Sequence, residues 1–165
     1  MRAGHPQELE TMSKYSLLDQ ADFTQVIRHV PLVSIDLIVS NSQGEFLLGK
    51  RNNAPAKGMW FVPGGRIFKN ERLNQALERV ILEELGPQET QPEVKFHGVY
   101  DHLYEENVFG DPEYGTHFVV LAHKLKLNLS IQALPNEQHS LFRWWAIDQL
   151  LASPEVHSYT KAYFS

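Results

Sequence analysis

An acidic residue lies on the apolar side of a predicted helix. The segment from about Arg72 to Leu85 has helical spacing, and a wheel of 100° per residue places Glu84 in a stripe with Leu73, Leu77 and Val80. Burying an ionised carboxylate costs free energy unless a cation or hydrogen-bond donors compensate its charge. Two explanations stay open at this point. Either Glu84 serves a ligand, or the helix register is shifted or Glu84 pairs with a distant arginine.

A pair of glycines shortly before this helix favours the ligand. Gly64 and Gly65 allow a tight turn, which would let a backbone carbonyl approach whatever Glu84 binds. Carbonyl and carboxylate oxygens are ligands that suit a hard cation such as Mg²⁺. On the flank of the same helix, Arg79 and Glu83 are four residues apart and are predicted to form an ordinary surface ion pair.

The remaining sequence predicts a layered domain of mixed strands and helices, of class α/β (α+β). We predict a helix over Asp19–His29, capped by Ser16, and one or two short helices in the C-terminal tail. Predicted strands span Leu32–Ser40, Glu45–Arg51, Val94–Tyr104, Gly115–Leu127 and Leu141–Ile147. Predicted loops span Asn52–Gly58, Glu105–Tyr114 and Leu134–His139. Residues 1–11 lack periodicity and are predicted to be a disordered extension, whereas residues 12–165 form a single domain.

Composition excludes several classes of protein. The 165 residues carry 15 Lys and Arg against 20 Asp and Glu, which argues against a general binder of nucleic acid or of anionic membranes. Cysteine is absent, so disulfide scaffolds, thiolate metal sites and cysteine nucleophiles are excluded. No apolar run is long enough to span a bilayer, and a cytoplasmic protein is the expectation.

The segment around Glu84 resembles the Nudix box, a motif of one family of hydrolases. The motif reads G-x5-E-x7-R-E-U-x-E-E-x-G-U, and its matching positions here are Gly65, Glu71, Arg79, Glu83, Glu84 and Gly86. Two positions depart, since Val80 replaces the glutamate after the arginine and Pro87 replaces the final aliphatic residue. The resemblance implies the Nudix α/β/α sandwich, with a mixed β-sheet between helices. The valine removes a carboxylate that normally helps to hold several metal ions.

Segments outside the box narrow the resemblance to the GDP-mannose mannosyl hydrolase subfamily, which also lacks that glutamate. These segments are Phe46–Arg51, Trp60–Arg66, Gly98-Val99, His102, Tyr104 and Pro135–His139. The resemblance covers residues 17–164. It implies a homodimer that hydrolyses a small nucleotide sugar, GDP-mannose or GDP-glucose, to GDP and free sugar. Water would attack sugar C1 with inversion.

The resemblance also implies roles for individual residues. Mg²⁺, or Mn²⁺ in its place, would be held by the Gly64 carbonyl, the Glu84 carboxylate and the Gln138 side-chain oxygen. His139 would be the general base, a role that suits an imidazole in a polar loop. Arg51 and Arg66 would neutralise charge on the leaving diphosphate. Residues expected to contact substrate are Asp36, His102 and Tyr104.

For several of these residues an ordinary structural role is the alternative. The arginines can be solvated, Asp36 can face solvent or pair with a lysine, and His102 can be a packed histidine that contacts neither sugar nor diphosphate. Phe118 departs from the subfamily, where a tyrosine hydroxyl contacts the diphosphate. The sequence also leaves two other functions open. One is a Nudix pyrophosphatase that cleaves a P–O bond, and the other is a non-catalytic nucleotide-sugar-binding module.

Overall fold

The computed structural model describes residues 18–165. In this range the chain forms a seven-stranded sheet and four α-helices. The strands are β1 (Leu32–Ser40), β2 (Phe46–Arg51), β3 (Trp60–Phe61), β4 (Gly64–Arg66), β5 (Val94–Tyr104), β6 (Thr116–Lys126) and β7 (His139–Trp145). The helices are α1 (Gln20–His29), α2 (Leu73–Leu85), α3 (Ile147–Ala152) and α4 (Ser158–Ala162), and a 3-10 turn spans Ile131–Ala133.

Strand β1 is the centre of a mixed sheet with the order β3-β2-β1-β6-β5. One edge of β1 pairs in parallel with β6 along its whole length, from Leu32 to Ser40. The other edge pairs with β4 opposite Ser34–Asp36 and meets β2 at the hairpin pair Ser40↔Phe46. Strand β2 continues outward to β3 and β7, and β5 forms the far edge against β6. The sheet therefore brings β1, β2, β4 and β7 together at one place.

Helices cover both faces of this sheet, because β1 is apolar on both sides. Ile35, Leu37 and Val39 point into a core that also contains Val80 and Leu85 of α2. The neighbouring position Ile38 points to the opposite face. The core there includes Leu48, Trp60, Trp145, Leu150 of α3, Val156 and Tyr163. The expected α/β/α sandwich with a mixed sheet is confirmed.

Most predicted elements are present, and their ends are corrected by a few residues. Helix α1 is capped by Asp19, whose Oδ1 accepts from the Asp22 amide at 2.8 Å, whereas the expected cap Ser16 lies outside the described residues. The predicted disordered stretch 1–11 also lies outside them. Strand β7 begins at His139 and not at Leu141, since the β2 edge still offers Arg51 as a partner after the hydrophobic run ends. His139 is thus a strand residue and not the loop residue that was predicted.

The buried side of α2 confirms the unusual position of Glu84 but corrects the stripe around it. Leu73 is 60% exposed, so the stripe does not begin in the first turn. The buried positions of the helix are Ala76, Val80, Ile81, Glu84 and Leu85. Glu84 is only 4% exposed, and Gly86 ends the helix with a positive φ of 77°. No helix within residues 18–165 has the length and apolar character needed to cross a membrane.

Candidate active site

A cleft of about 370 Å³ opens beside the meeting point of β1, β2, β4 and β7. It is lined by all but one of the nine site residues predicted from sequence: Asp36, Arg51, Gly64, Arg66, His102, Tyr104, Gln138 and His139. The exception is Glu84, which is buried and in contact with His139. Tertiary folding thus brings together residues that are up to about a hundred positions apart in the sequence.

Glu84 and His139 form a buried pair at the base of the cleft. The His139 Nε2 atom is 3.4 Å from Glu84 Oε2, and the two side chains are 5% and 4% exposed. No hydrogen bond to either Glu84 oxygen is formed by the part of the chain that the structure describes. The Nδ1 atom of His139 is buried and also lacks a hydrogen-bond partner among these residues. A buried carboxylate without an arginine or lysine beside it is costly unless something else compensates its charge.

Two glycines leave room for side chains of the cleft, one beneath His139 and the other beside Asp36. A Cβ at Gly49 of β2 would lie 2.5 Å from Cγ and Nδ1 of His139, so only glycine lets the imidazole rest on the strand. A Cβ at Gly64 would lie 2.5 Å from both Asp36 Oδ1 and the Ile35 carbonyl oxygen. Sequence reasoning identified Gly64 but missed Gly49, since nothing near Gly49 in the sequence indicates that His139 packs on it.

The donor set at this place fits a single hard cation. Across residues 18–165, no three His, Cys, Asp or Glu side chains cluster in a way that would hold a metal ion. Val80, at the position of the missing glutamate, is fully buried. Its Cγ2 atom would lie 3.2 Å from a Cβ added at Gly65, so the two residues are in close contact. A cation bound by Glu84 would therefore need neutral oxygen ligands, and the Gly64 carbonyl and the exposed Gln138 amide of the cleft wall are donors of that kind.

Two arginines present positive charge to the cleft without a carboxylate partner. Arg51 stacks on Phe61 at 5.5 Å, and its buried Nε lacks a hydrogen-bond partner within the described residues. Arg66 lies 4.1 Å over Phe23 and 5.9 Å from Phe68, and neither arginine forms an ion pair with a described residue. Burial and the charge of Arg79 lower the pKa of Arg66. Unpaired, partly buried cations of this kind favour binding of an anion.

Arg79, the arginine of the box, is hydrogen-bonded to other residues of the protein. Arg79 Nε donates to Glu71 Oε1 at 2.6 Å, and its NH2 group donates to Glu71 Oε2 at 2.9 Å and to the Arg66 carbonyl oxygen at 2.7 Å. The predicted pair with Glu83 is confirmed at 2.7 Å. Burial by itself would raise the pKa of Glu71. Hydrogen bonds from Arg79 and from the Phe68 amide outweigh it and lower the pKa overall. The Glu71 contact was missed because the two residues are not on one helix.

A hydrogen-bonded chain holds two of the predicted substrate contacts. Tyr163 donates its hydroxyl to Asp36 Oδ2 at 2.6 Å, and the same hydroxyl oxygen is 3.2 Å from His102 Nε2. Burial raises the pKa of Asp36 to about 6, although Tyr163 and the charge of Arg51 oppose the shift. Burial, together with the charges of His157 and Arg51, lowers the pKa of His102 to about 4, so this imidazole is neutral near pH 7. The side chain that bonds Asp36 is thus Tyr163 and not a lysine, and sequence reasoning missed Tyr163.

Aromatic side chains form the wall of the cleft around His102. Its ring stacks on Tyr159 at 4.3 Å with an interplanar angle of 3°, and Tyr104 meets it edge-on at 6.2 Å. Burial raises the pKa of Tyr104, whose ring also contacts Phe118 edge-on. Tyr100, which shares strand parity with His102, packs instead against Tyr163 and does not line the cleft.

The predicted loop over Glu105–Tyr114 is an ordered rim of the cleft. Asn107 is fully buried, and its amide donates to the carbonyls of Asp111 and Tyr114, each at 2.7 Å. Its Oδ1 accepts from the Phe109 amide at 3.0 Å. The carboxylate of Glu106 accepts a hydrogen bond from the Ala56 amide and so joins this rim to the 52–58 loop.

Comparisons with known proteins agree with this architecture. The chain is 48% identical over 84 residues to the low-salt glycan biosynthesis protein Agl8 of Haloferax volcanii, which is 51% of this chain and 52% of Agl8. The chain therefore spans about half the length of the curated relative that it matches. Among solved structures, the MutT protein of Methanosarcina mazei Go1 superposes with a TM-score of 0.64 and 20% identity over 81% of this chain and 91% of that protein.

A second solved structure covers nearly the whole chain. The NUDIX domain of Shewanella oneidensis NrtR, solved with ADP ribose, superposes with a TM-score of 0.61 and 20% identity over 95% of this chain and 96% of that domain. At these identities the two structures show the fold alone. The NUDIX domain family matches residues 30–164, a range that contains all seven strands of the sheet. The chain belongs to the Nudix family of hydrolases.

Proposed function

We propose that this hydrolase cleaves GDP-mannose or GDP-glucose to GDP and the free sugar, by attack of water on sugar C1 with inversion. One observation carries the proposal. The helix that supplies the acidic residues of the box buries a single carboxylate, Glu84, against His139 at 3.4 Å, while Val80 is fully buried where a second carboxylate would hold more metal. Attack on carbon, with a diphosphate leaving group, needs fewer cations than attack of hydroxide on phosphorus.

His139 suits the role of general base in this reaction. The oxygen of water forms the new bond to C1, the bond from C1 to the β-phosphate oxygen breaks with its electrons leaving on GDP, and the His139 imidazole takes the proton. The nearby Glu84 Oε2 stabilises the resulting imidazolium, since a carboxylate at 3.4 Å favours the charged ring. Inversion follows because water and the diphosphate lie on opposite faces of C1.

Arg51 and Arg66 suit the leaving diphosphate. Both guanidinium groups face the cleft without carboxylate partners among the described residues, and an arginine fork matches phosphate oxygens. Members of this family generally use divalent metals such as Mg²⁺. Here the Gly64 carbonyl, the Glu84 carboxylate and the Gln138 amide oxygen would hold Mg²⁺ or Mn²⁺, which when bound supplies positive charge for the departing diphosphate. Asp36, His102 and Tyr104 would contact the substrate.

The name of Agl8, a low-salt glycan biosynthesis protein, is consistent with a sugar-bearing substrate. Hydrolysis in ¹⁸O-labelled water tests the proposal directly. Nucleotide sugars differing in base and sugar are incubated with Mg²⁺, and the products are analysed by mass spectrometry. We expect GDP-mannose or GDP-glucose to give sugar that carries the label and GDP that does not. Label in a nucleotide phosphate, with release of sugar phosphate, would instead identify a pyrophosphatase. Tight binding without any turnover would identify a non-catalytic module.

Two further expectations extend this proposal. We expect a homodimer, which size-exclusion chromatography with light scattering measures directly. A monomeric mass at working concentrations would contradict that expectation. The cytoplasmic location predicted from the composition stays a prediction for localisation experiments.

A further inference from the structure

Tyr163, to which nothing above assigns a role in the reaction, joins two side chains of the cleft. It follows α4 at the end of the chain and is only 2% exposed. Its ring packs edge-on against Tyr100, with centroids 4.8 Å apart at 84°. Its hydroxyl lies between Asp36 Oδ2 at 2.6 Å and His102 Nε2 at 3.2 Å. The hydroxyl therefore connects Asp36 and His102, both of which line the cleft.

The direction of these two hydrogen bonds follows from the count of protons. A tyrosine hydroxyl has one proton to donate. A separation of 2.6 Å is typical of a hydroxyl that donates to a carboxylate, so the proton goes to Asp36. The Tyr163 oxygen must then accept the second hydrogen bond, and His102 Nε2 must carry a proton. A neutral imidazole with a proton on Nε2 has a lone pair on Nδ1.

The free nitrogen of His102 is the one available to a ligand. Nδ1 makes no hydrogen bond to any residue from 18 to 165, and the His102 side chain lines the cleft. The stacked ring of Tyr159 holds the plane of the imidazole at 4.3 Å. Burial, with the charges of His157 and Arg51, keeps the imidazole neutral by lowering its pKa to about 4. An acceptor nitrogen matches a hydroxyl group and not a phosphate oxygen, because phosphate oxygens at neutral pH are themselves acceptors.

We propose that Tyr163 is a positioning residue that holds His102 in its Nε2–H form, so that Nδ1 accepts a hydrogen bond from a hydroxyl of the substrate's sugar. This inference rests on the proposed function and deepens it. It assigns His102 to the sugar and leaves the diphosphate to the arginines. Asp36 accepts the proton of the Tyr163 hydroxyl, so the Tyr163 oxygen is left to accept the hydrogen bond from His102.

The tautomer can be measured without any turnover. Long-range ¹H–¹⁵N correlation spectra of the whole protein, labelled with ¹⁵N-histidine and recorded slightly above neutral pH, distinguish the two forms of a neutral imidazole. His102→Gln identifies the His102 signals by their loss. We expect the Nε2–H form in the wild-type protein. The Nδ1–H form, or an even mixture of the two, would overturn the proposal whatever the enzyme hydrolyses.

Substrate dependence gives a second measurement. Tyr163→Phe removes the hydroxyl and keeps the ring, and Tyr100→Phe is the matched control, since its hydroxyl makes no hydrogen bond to a described residue. We expect Tyr163→Phe to lower kcat/KM for GDP-mannose about tenfold and to change the affinity for GDP, which has no such sugar, by less than about twofold. The control should change neither quantity.

Other outcomes separate this proposal from the proposed function. Equal losses of GDP affinity and of GDP-mannose turnover in Tyr163→Phe would overturn it, because they would indicate a general structural role. Wild-type protein that hydrolyses no GDP-sugar would refute the proposed function, while the tautomer would still decide whether Tyr163 orients His102. Should Tyr163→Phe fail to fold, the wild-type spectrum alone gives that decision.

Discussion

The imidazole Nε2 of His139 and the Oε2 of Glu84 are 3.4 Å apart in a place where both side chains are at most 5% exposed. Strand β7 supplies the histidine and helix α2 supplies the carboxylate, so the sheet and the helix layer must pack correctly for the pair to exist. A separation of 3.4 Å is a close polar contact, although it is long for a charge-assisted hydrogen bond. The proposed role of this pair in proton transfer is tested by the variants below.

Replacing His139 tests its role as the base. We expect His139→Ala to lower kcat for GDP-mannose by about 10²- to 10⁴-fold, the usual contribution of a general base, with little change in the affinity for GDP. His123→Ala is the matched control, since His123 contacts Phe96 and the Leu121 carbonyl and does not line the cleft. Turnover near the wild-type level in His139→Ala would remove this residue from the mechanism.

Gly49→Ala should reach the same histidine indirectly. The new Cβ would lie 2.5 Å from two atoms of the His139 ring, so the imidazole must move off the strand. We expect kcat to fall at least about tenfold, because small displacements of a catalytic group are costly. Kinetics of the double variant Gly49→Ala/His139→Ala check the cause. It should be no slower than His139→Ala alone, and additive losses would show that Gly49 acts elsewhere.

Glu84→Gln should abolish the response of the fold to metal. A ligand that binds only the native state raises the unfolding temperature, so we expect Mg²⁺ or Mn²⁺ to stabilise the wild-type protein and not the variant. Thermal unfolding with increasing metal concentration measures this without any substrate. Glu78→Gln, at an exposed position of the same helix, serves as the control. A wild-type metal response in Glu84→Gln would contradict the assignment of this ligand.

The Glu71–Arg79 ion pair should contribute to stability and not to substrate binding. The Glu71 side chain is 0% exposed and the Arg79 side chain 10%, so removing one charge leaves the other buried without its partner. We expect Glu71→Gln to reduce the free energy of unfolding by about 3 kcal/mol. Glu93→Gln breaks an exposed ion pair with Lys95 and should cost less than about 1 kcal/mol. Urea denaturation compares the two, and equal losses would count against the buried pair.

His102 should make the protein less stable in acid. Its pKa is lowered to about 4 in the folded protein, against an ordinary value of 6.5, so the unfolded chain takes up the proton first. The stability that neutral His102 provides is present above pH 6.5 and is lost as the pH falls towards 4, by up to about 3 kcal/mol. The unfolding free energy of the wild-type protein minus that of His102→Gln should therefore fall by up to about 3 kcal/mol between pH 6.5 and pH 4. A difference that is independent of pH would show that His102 titrates normally.

Local sequence patterns were sufficient for most of the architecture, and family resemblance was sufficient to select residues that the structure brings to one cleft. Strand β1, helix α2 and the glycine that ends α2 were predicted from periodicity and backbone preferences that neighbouring residues reveal. The box spacing identified Glu84, and the resemblance outside the box identified the other eight predicted site residues. The strand, the helix and its end are readable because each depends on residues close together in the chain.

Contacts between distant segments could not be read in this way. Asp36 and Tyr163 are 127 residues apart, and nothing in either local sequence indicates that the hydroxyl of one meets the carboxylate of the other. The space under His139 depends on Gly49 of another strand, and the start of β7 depends on how far the β2 edge extends. Hydrogen-bond direction, burial and pKa arise from such packing across the sheet, because they depend on which groups surround an atom in space and not on which precede it in the chain.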